Sequence, residues 1–82
     1  MSFFVYILGC RKKSKLITYV GYTRNLKKRL KLHNKGKGAK FTRGRKWKIL
    51  YSESLYSKSD AMRREYQLKK NNKLRLLLRS KI

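Results

Sequence analysis

The chain begins with a run of six apolar residues at positions 3–8, and this run constrains the fold more than any other stretch. It consists of β-branched, aromatic and aliphatic side chains and ends at Gly9. A strand that is buried on both faces has this pattern, whereas a strand with one solvated face alternates between apolar and polar residues. We therefore expect a central strand over 3–8 with the rest of the chain covering both of its faces.

The remaining segments predict a hairpin and three helices. A basic turn at 11–15 leads to a second strand over 16–22, which indicates an antiparallel hairpin. Thr23 is a candidate N-cap for a helix over 24–34. A third strand is expected over 47–53, a second helix over 60–71 and a short helical tail over 73–82. This order predicts an α+β fold in one domain spanning 1–82, with a small three-stranded antiparallel sheet flanked by helices.

The charge balance is strongly one-sided. The 82 residues include 25 Lys and Arg but only 3 Asp and Glu, a formal net charge of +22. A hydrophobic share of 40 % is too high for a disordered basic tail. Self-repulsion of this size is best tolerated when the usual partner is a polyanion. We expect that partner to be nucleic acid rather than an anionic membrane surface, because the basic segment lacks a broad opposing apolar face.

Residues 24–48 concentrate this charge, with twelve Lys or Arg and no acid. We expect contacts to a polynucleotide backbone from this segment, at Lys28, Lys37, Lys40, Arg43 and Arg45. Aromatic side chains are interleaved with the cations and can either stack on bases or form core. For Phe41 and Trp47 the pattern favours core.

Several classes of protein are excluded. No run of about 18 apolar residues exists, so no helix is expected to span a membrane. The apolar start has no basic region ahead of it, unlike a signal peptide. Cys10, the single cysteine, permits no intrachain disulfide and no multi-cysteine zinc site, and we expect it to be a half-buried apolar residue. A cytoplasmic location is the expectation.

The three acids differ in how easily they are explained. Glu53 ends the expected third strand, and Asp60 begins a helix, where a carboxylate offsets the macrodipole. Glu65 instead falls near the middle of that helix's apolar stripe, which consists of Ala61, Met62 and Leu68. An ionised carboxylate there is costly unless a cation or a metal compensates it. Two interpretations stay open: an ion pair with a nearby Lys or Arg, or a single metal ligand at the floor of a cationic cleft.

Arg29 and His33 lie one helical turn apart on the first helix and therefore project together. His33 lies on an apolar stripe with Leu26 and Leu30, and Arg29 lies at the edge of this stripe. A lone histidine beside an apolar stripe is usually a packing residue. Next to an arginine in a basic groove, it is also a candidate for phosphate contact or proton transfer.

Two short strings resemble the paired motifs of the GIY-YIG nuclease family: VYI at 5–7 and YVG at 19–21, with Val5 in place of the first glycine. The segments 19–30, 33–43 and 59–70 resemble the same family, so the resemblance covers about residues 3–72. It implies a three-stranded antiparallel sheet flanked by helices. It also implies metal-dependent cleavage of phosphodiester bonds in DNA.

The resemblance also implies the site residues. The catalytic positions are Tyr6, Tyr19, Arg29 and His33, and the metal position is Glu65. One carboxylate cannot build a two-metal site, but it can hold one Mg²⁺ or Mn²⁺ whose other ligands are waters and a phosphate oxygen.

Each implied residue has a chemical role to fill. Arg29 supplies a charged fork toward the scissile phosphate. Tyr19 is the expected general base for water, with Tyr6 orienting or replacing it and His33 relaying or orienting. Gly21 either lets nucleic acid approach the end of the strand closely or simply marks a bend.

The sequence thus predicts a metal-dependent DNA endonuclease acting in DNA repair or processing, with RNA left open as a substrate. The alternative is a nucleic-acid-binding module of the same fold with little or no catalytic activity. Its binding would survive Glu65→Ala and would not depend on a metal. The oligomeric state is left open.

Overall fold

The computed structural model describes residues 2–13 and 15–78. Three strands and three α-helices follow one another in the order β1, β2, α1, β3, α2 and α3, and a short 3₁₀ turn, Lys40–Thr42, precedes β3. Their bounds are β1 Phe3–Lys12, β2 Lys15–Thr23, α1 Leu26–Asn34, β3 Lys48–Leu55, α2 Lys58–Lys69 and α3 Asn72–Leu78. The predicted α+β fold with a three-stranded antiparallel sheet is confirmed.

The sheet has the order β2-β1-β3, and both neighbours pair antiparallel with β1. β1 is therefore central, and its residues Val5, Tyr6, Ile7 and Leu8 are at most 1 % exposed. The apolar run at the start of the chain is thus a strand buried on both faces, as predicted.

The two faces of the sheet have different chemistry because successive side chains of a strand point to opposite sides. What we call the aliphatic face is covered by α2 and α3, and its core residues are Phe3, Val5, Ile7, Val20, Leu50, Ala61, Leu68 and Leu78. What we call the aromatic face lies on the other side, with a core of Tyr6, Leu8 and Trp47, against which Tyr19, Leu26 and Leu30 pack.

The start of α1 corrects one prediction. Asn25, not Thr23, caps the helix: its side-chain oxygen accepts a hydrogen bond from the backbone N–H of Lys28 at 3.0 Å. Thr23 still belongs to β2, and its hydroxyl accepts from the N–H of Asn25. Both residue types suit an N-cap, so pairing with β1 decides which of them ends the strand.

Packing corrects further expectations. Met62 is 50 % exposed and does not belong to the stripe of α2, which buries Ala61 and Leu68. Trp47 is core, as expected, although it precedes β3. Phe41, expected in the core, is 52 % exposed.

The helical tail is partly confirmed. α3 ends at Leu78, which is buried against the aliphatic face, and residues 79–82 of the predicted tail lie outside the described residues. Within the part of the chain that the structure describes, no helix is long and apolar enough to cross a membrane.

Glu53 lies inside β3, directly opposite Val5, and does not end the strand as predicted. Its carboxylate accepts hydrogen bonds from the hydroxyl of Tyr51 and from Nε of Arg64, with which it forms an ion pair. Burial alone would raise the pKa of this carboxyl, but the two hydrogen bonds outweigh burial and hold its pKa below the ordinary value. Glu53 therefore ties α2 to the sheet.

Candidate active site

A cleft of about 340 Å³ opens beside the aromatic face, where four elements meet. β1, β2, α1 and α2 contribute its lining residues, which are Tyr6, Tyr19, Gly21, Tyr22, Arg29 and Glu65. The structure therefore brings the expected phenols, guanidinium and carboxylate into one place. The fourth predicted catalytic residue, His33, lies directly behind Tyr6.

Gly21 makes room for the phenol of Tyr6. The two residues are register partners on β2 and β1. A Cβ on Gly21 would lie 2.6 Å from the Tyr6 oxygen, closer than two such atoms can approach. Gly21 lines the cleft through its backbone, but the space left by its missing side chain is filled by Tyr6. The close approach of nucleic acid to the backbone of Gly21 stays a prediction.

His33 is fully buried and forms two side-chain hydrogen bonds. Its Nε2 lies 2.9 Å from the Tyr6 hydroxyl, and its Nδ1 lies 2.9 Å from the hydroxyl of Thr42. The Thr42 hydroxyl donates its single proton to the carbonyl of Ala39, so it can only accept from His33. Nδ1 of the imidazole therefore carries the proton, and Nε2 accepts from Tyr6.

Burial decides the resting protonation of this pair. It raises the pKa of the Tyr6 phenol, an effect that the neighbouring Arg29 opposes. It lowers the pKa of His33, and the positive charge of Arg29 lowers it further. At neutral pH the pair is thus a protonated phenol that donates to a neutral imidazole.

The segment after α1 holds His33 in this orientation. Gly38 packs so closely on the imidazole that a Cβ would overlap the ring. Asn34 donates to and accepts from the backbone of Trp47, and the indole N–H of Trp47 donates to the carbonyl of Thr42 at 3.0 Å. Sequence reasoning assigned no functional role to Thr42 or Asn34. The local sequence offers one indication of their role: they flank the segment with Gly36 and Gly38 that follows His33.

Arg29 reaches the cleft from α1 and is half-buried. One terminal nitrogen, Nη2, donates to the carbonyl of Gly38 at 3.4 Å. Its Nε is buried and finds no hydrogen-bond partner among the described residues. A buried guanidinium N–H without an acceptor is costly, and an anion entering the cleft would supply one.

Glu65 stands at the rim of the cleft rather than within an apolar stripe, with its side chain 22 % exposed. Its carboxylate pairs with Nζ of Lys69 at 3.3 Å, one turn along α2. The ion pair considered from the sequence is therefore present, and the carboxylate also faces the phenols and Arg29. The interpretation of Glu65 as a metal ligand stays a prediction.

The donor set fits one weakly chelated metal ion and no closed metal cage. Within 2–13 and 15–78, no three His, Cys, Asp or Glu side chains come together to hold a metal. Mg²⁺ commonly binds through one or two carboxylates and keeps several waters. The carboxylate of Glu65, in a cleft otherwise lined by phenols and an arginine, meets that requirement.

The other predicted nucleic-acid contacts lie outside the lining of the cleft. Lys28 is exposed on α1, and Lys37, Lys40 and Arg43 are exposed in the segment that follows it. Arg45 is half-buried, with its guanidinium carbon 5.4 Å from the centre of the Phe41 ring. Phe41 in turn stacks on Tyr19, with ring centres 6.3 Å apart. A cationic surface thus continues from the cleft along the segment that braces His33.

Comparison with known proteins identifies the family of the chain. The sequence model of a protein family, described as the GIY-YIG catalytic domain, matches residues 2–76. The chain therefore belongs to the GIY-YIG family, which is a nuclease-type family.

Its relatives carry the name UPF0213. The chain is 51 % identical over 67 residues to a UPF0213 protein of Oceanobacillus iheyensis, covering 80 % of this chain and 74 % of the relative. It is 49 % identical over 78 residues to one of Clostridium perfringens, covering 90 % and 81 %. A solution NMR structure of a UPF0213 protein from Bacillus halodurans matches with 41 % identity and a TM-score of 0.49, covering 94 % of this chain and 83 % of the other.

Proposed function

We propose that the protein is a metal-dependent endonuclease that hydrolyses phosphodiester bonds in DNA, in repair or processing. The observation that carries the proposal is the hydrogen-bond chain from the cleft through Tyr6 to His33 and Thr42. This chain begins beside a half-buried arginine and a single carboxylate. Membership of the GIY-YIG family supports the proposal.

The geometry favours Tyr6 over Tyr19 as the residue that activates water. A phenol with a raised pKa is a poor base by itself. Tyr6 can nevertheless take a proton from water while it passes its own proton to Nε2 of His33. Because Nδ1 is already protonated, His33 then becomes an imidazolium, and its lowered pKa favours return of the proton once the product has left. Tyr19, 5.0 Å from the imidazole between ring centres, packs against this pair.

Arg29 is proposed to bind the scissile phosphate. Its Nε lacks an acceptor among the described residues, and a guanidinium stays charged at physiological pH. The hydroxide formed from water attacks phosphorus, the bond from phosphorus to the 3′ oxygen breaks, and the leaving oxygen takes a proton from solvent. Arg29 stabilises the negative charge on the phosphoryl oxygens during this step.

Glu65 is proposed to hold one Mg²⁺ or Mn²⁺. When bound, such an ion would act as a Lewis acid on the phosphate and stabilise the departing oxygen. Lys69 already neutralises Glu65 in the absence of metal. This ion pair is also the observation that favours the alternative function, a binding module with little or no activity, in which Glu65 has a purely structural partner.

Nicking of supercoiled plasmid tests the proposal. We expect the parent protein to nick with Mg²⁺ or Mn²⁺ and to stop when EDTA is added, whereas Glu65→Ala and Arg29→Ala lose about 10²-fold or more of the rate. Arg63→Ala is the matched control, because Arg63 is exposed and lies two residues from Glu65, on another side of α2. Equal nicking by all four proteins would show that the activity does not arise in the cleft.

A further inference from the structure

A second pocket, of about 410 Å³, lies beyond the cleft at the far end of β1. Its lining residues are Cys10, Arg11, Lys12, Arg43, Gly44, Arg45 and Lys46. Five of these seven residues are cationic and none is acidic. Two separate segments build it, since the β1 end of the hairpin faces the stretch that follows the 3₁₀ turn. We name it the distal pocket.

Arg45 supplies the distal pocket with a hydrogen-bond donor for an anion. Its Nη1 is buried and has no hydrogen-bond partner among the described residues. The guanidinium is held in place over the ring of Phe41. A fixed, buried N–H donor that lacks an acceptor is costly, and a phosphate oxygen is a well-matched acceptor for it.

The turn at Gly44 helps to form this pocket. Its φ is +72°, a backbone conformation that favours glycine, and a Cβ there would meet nothing within 4 Å. The chain can therefore reverse between Arg43 and Arg45. This reversal lets both side chains line the same pocket.

The distal pocket and the cleft share one side of the sheet. Cys10 packs against the core cluster of the aromatic face, to which Tyr6 also belongs, so β1 runs from one site to the other. From Tyr6 to Arg11 the strand advances five residues, or about 17 Å at 3.3 Å per residue. The two sites are therefore about 17 Å apart along the strand, a span of several phosphates of a polynucleotide.

We propose that the distal pocket is a second phosphate-binding subsite, which holds the polynucleotide backbone about 17 Å from the bond in the cleft. This distance rests on the proposed function, because it is counted from the bond that the nuclease would cleave in the cleft. The proposal adds Arg11, Lys12 and Lys46 to the nucleic-acid interface, residues at which no contact was expected. In the proposed subsite, a backbone phosphate accepts the hydrogen bond from Nη1 of Arg45.

Cys10 provides a local probe of occupancy, because it is the single cysteine of the chain and is only partly buried. Its rate of alkylation by iodoacetamide, a neutral reagent, is to be measured without divalent cations, so that DNA stays intact. With a duplex present at about ten times its Kd, labelling of the parent is expected to slow about tenfold, since about one tenth of the protein stays free. The exposed control Arg63→Ala should show the same protection.

Two variants remove donors from the pocket. One is Arg45→Ala, and the other is the double variant Arg43→Ala with Lys46→Ala, which leaves the packing of Arg45 on Phe41 in place. Each is measured at a duplex concentration that saturates it, after circular dichroism has shown that it is folded. We expect Cys10 to react at the rate of the free protein in both. We also expect the slope of log K against log salt to become shallower by about 0.9 for each phosphate that the variant no longer neutralises.

Three results would overturn the subsite. Cys10 of the DNA-saturated parent could react as in the free protein, or the pocket variants could stay as protected as Arg63→Ala. Protection by inorganic phosphate at the same concentration as the duplex phosphates would indicate a small-anion site instead of a polynucleotide subsite. No cleavage occurs in this assay, so failure of the nuclease proposal and failure of the subsite give different results.

Discussion

The two faces of the sheet differ although one strand supplies both. Ile7 points to the aliphatic face, where it is fully buried among aliphatic side chains from β2, β3, α2 and α3. Its neighbour Tyr6 points to the aromatic face and is equally buried, but it donates a hydrogen bond to a buried histidine. The two side chains are equally buried, but Ile7 packs among aliphatic side chains, whereas Tyr6 forms a hydrogen bond with a histidine.

This difference separates apolar packing from buried polar contacts within a chain of 82 residues. On the aliphatic face, apolar burial holds α2 and α3 against the sheet, with the Glu53–Arg64 ion pair at its border. On the aromatic face, buried polar groups form a chain in which every described member has a partner, from Tyr6 to Ala39. A satisfied polar chain keeps a reactive group oriented without leaving a buried donor unpaired.

Among the variants that compare the two faces, Tyr6→Phe is expected to have the largest effect on nicking and stability. It removes the hydroxyl that we propose passes protons to His33, so the nicking rate should fall about 10²- to 10⁴-fold. Stability should fall by about 1–3 kcal/mol, because Nε2 of His33 loses its donor in a buried site. Plasmid nicking and urea denaturation of the same preparation measure both. Nicking at the parent rate would assign water activation to Tyr19 instead.

Acid should destabilise the aromatic face through His33. Its pKa is lower in the folded protein than the ordinary value near 6.5, so the unfolded chain binds more protons in the window between the two values. Stability should therefore be full above about pH 6.5 and fall as the pH drops toward the folded pKa, by at most about 1.4 kcal/mol per pH unit.

His33→Gln is the control for the pH dependence, because the chain contains no other histidine. The variant should show a flatter dependence of unfolding free energy on pH just below about pH 6.5. An equally steep dependence in parent and variant would mean that another group is responsible.

Ile7→Val should have the smallest effect and is the partner experiment to Tyr6→Phe on the same strand. It removes one buried methylene from the aliphatic face, which typically costs about 0.5–1.5 kcal/mol. The nicking rate per folded molecule should equal that of the parent. A loss of nicking comparable to that of Tyr6→Phe would show that the faces are not separable.

The fold could be predicted from the sequence better than the details of the site. The central strand follows from the run at 3–8, whose six apolar residues suit a strand that is buried on both faces. The predicted cap of α1 was wrong by two residues, because Thr23 and Asn25 both suit an N-cap and strand pairing chooses between them. The predictions for Met62 and Phe41 were wrong because helical or local spacing does not reveal which side chains a small sheet leaves uncovered.

In the site, the motif positions came together, but their hydrogen-bond partners could not be predicted. Thr42 and Ala39 fix the tautomer of His33 from across a loop. Such contacts do not recur at a regular spacing in the sequence, so periodicity does not predict them. The role of Gly21 depends on its register with Tyr6, which only the paired strands define. Glu65 was placed within an apolar stripe, and the exposure of Met62 shows that the stripe is narrower than its spacing suggested.

The central claim is that catalysis depends on the cleft carboxylate and not on the carboxylate that ties α2 to the sheet. The most direct test compares Glu65→Gln with Glu53→Gln, which remove the same charge at the two places. We predict that Glu65→Gln abolishes metal-dependent nicking and leaves the urea midpoint unchanged. Glu53→Gln should lower the midpoint and leave nicking per folded molecule intact. Equal nicking by the two variants would contradict the account.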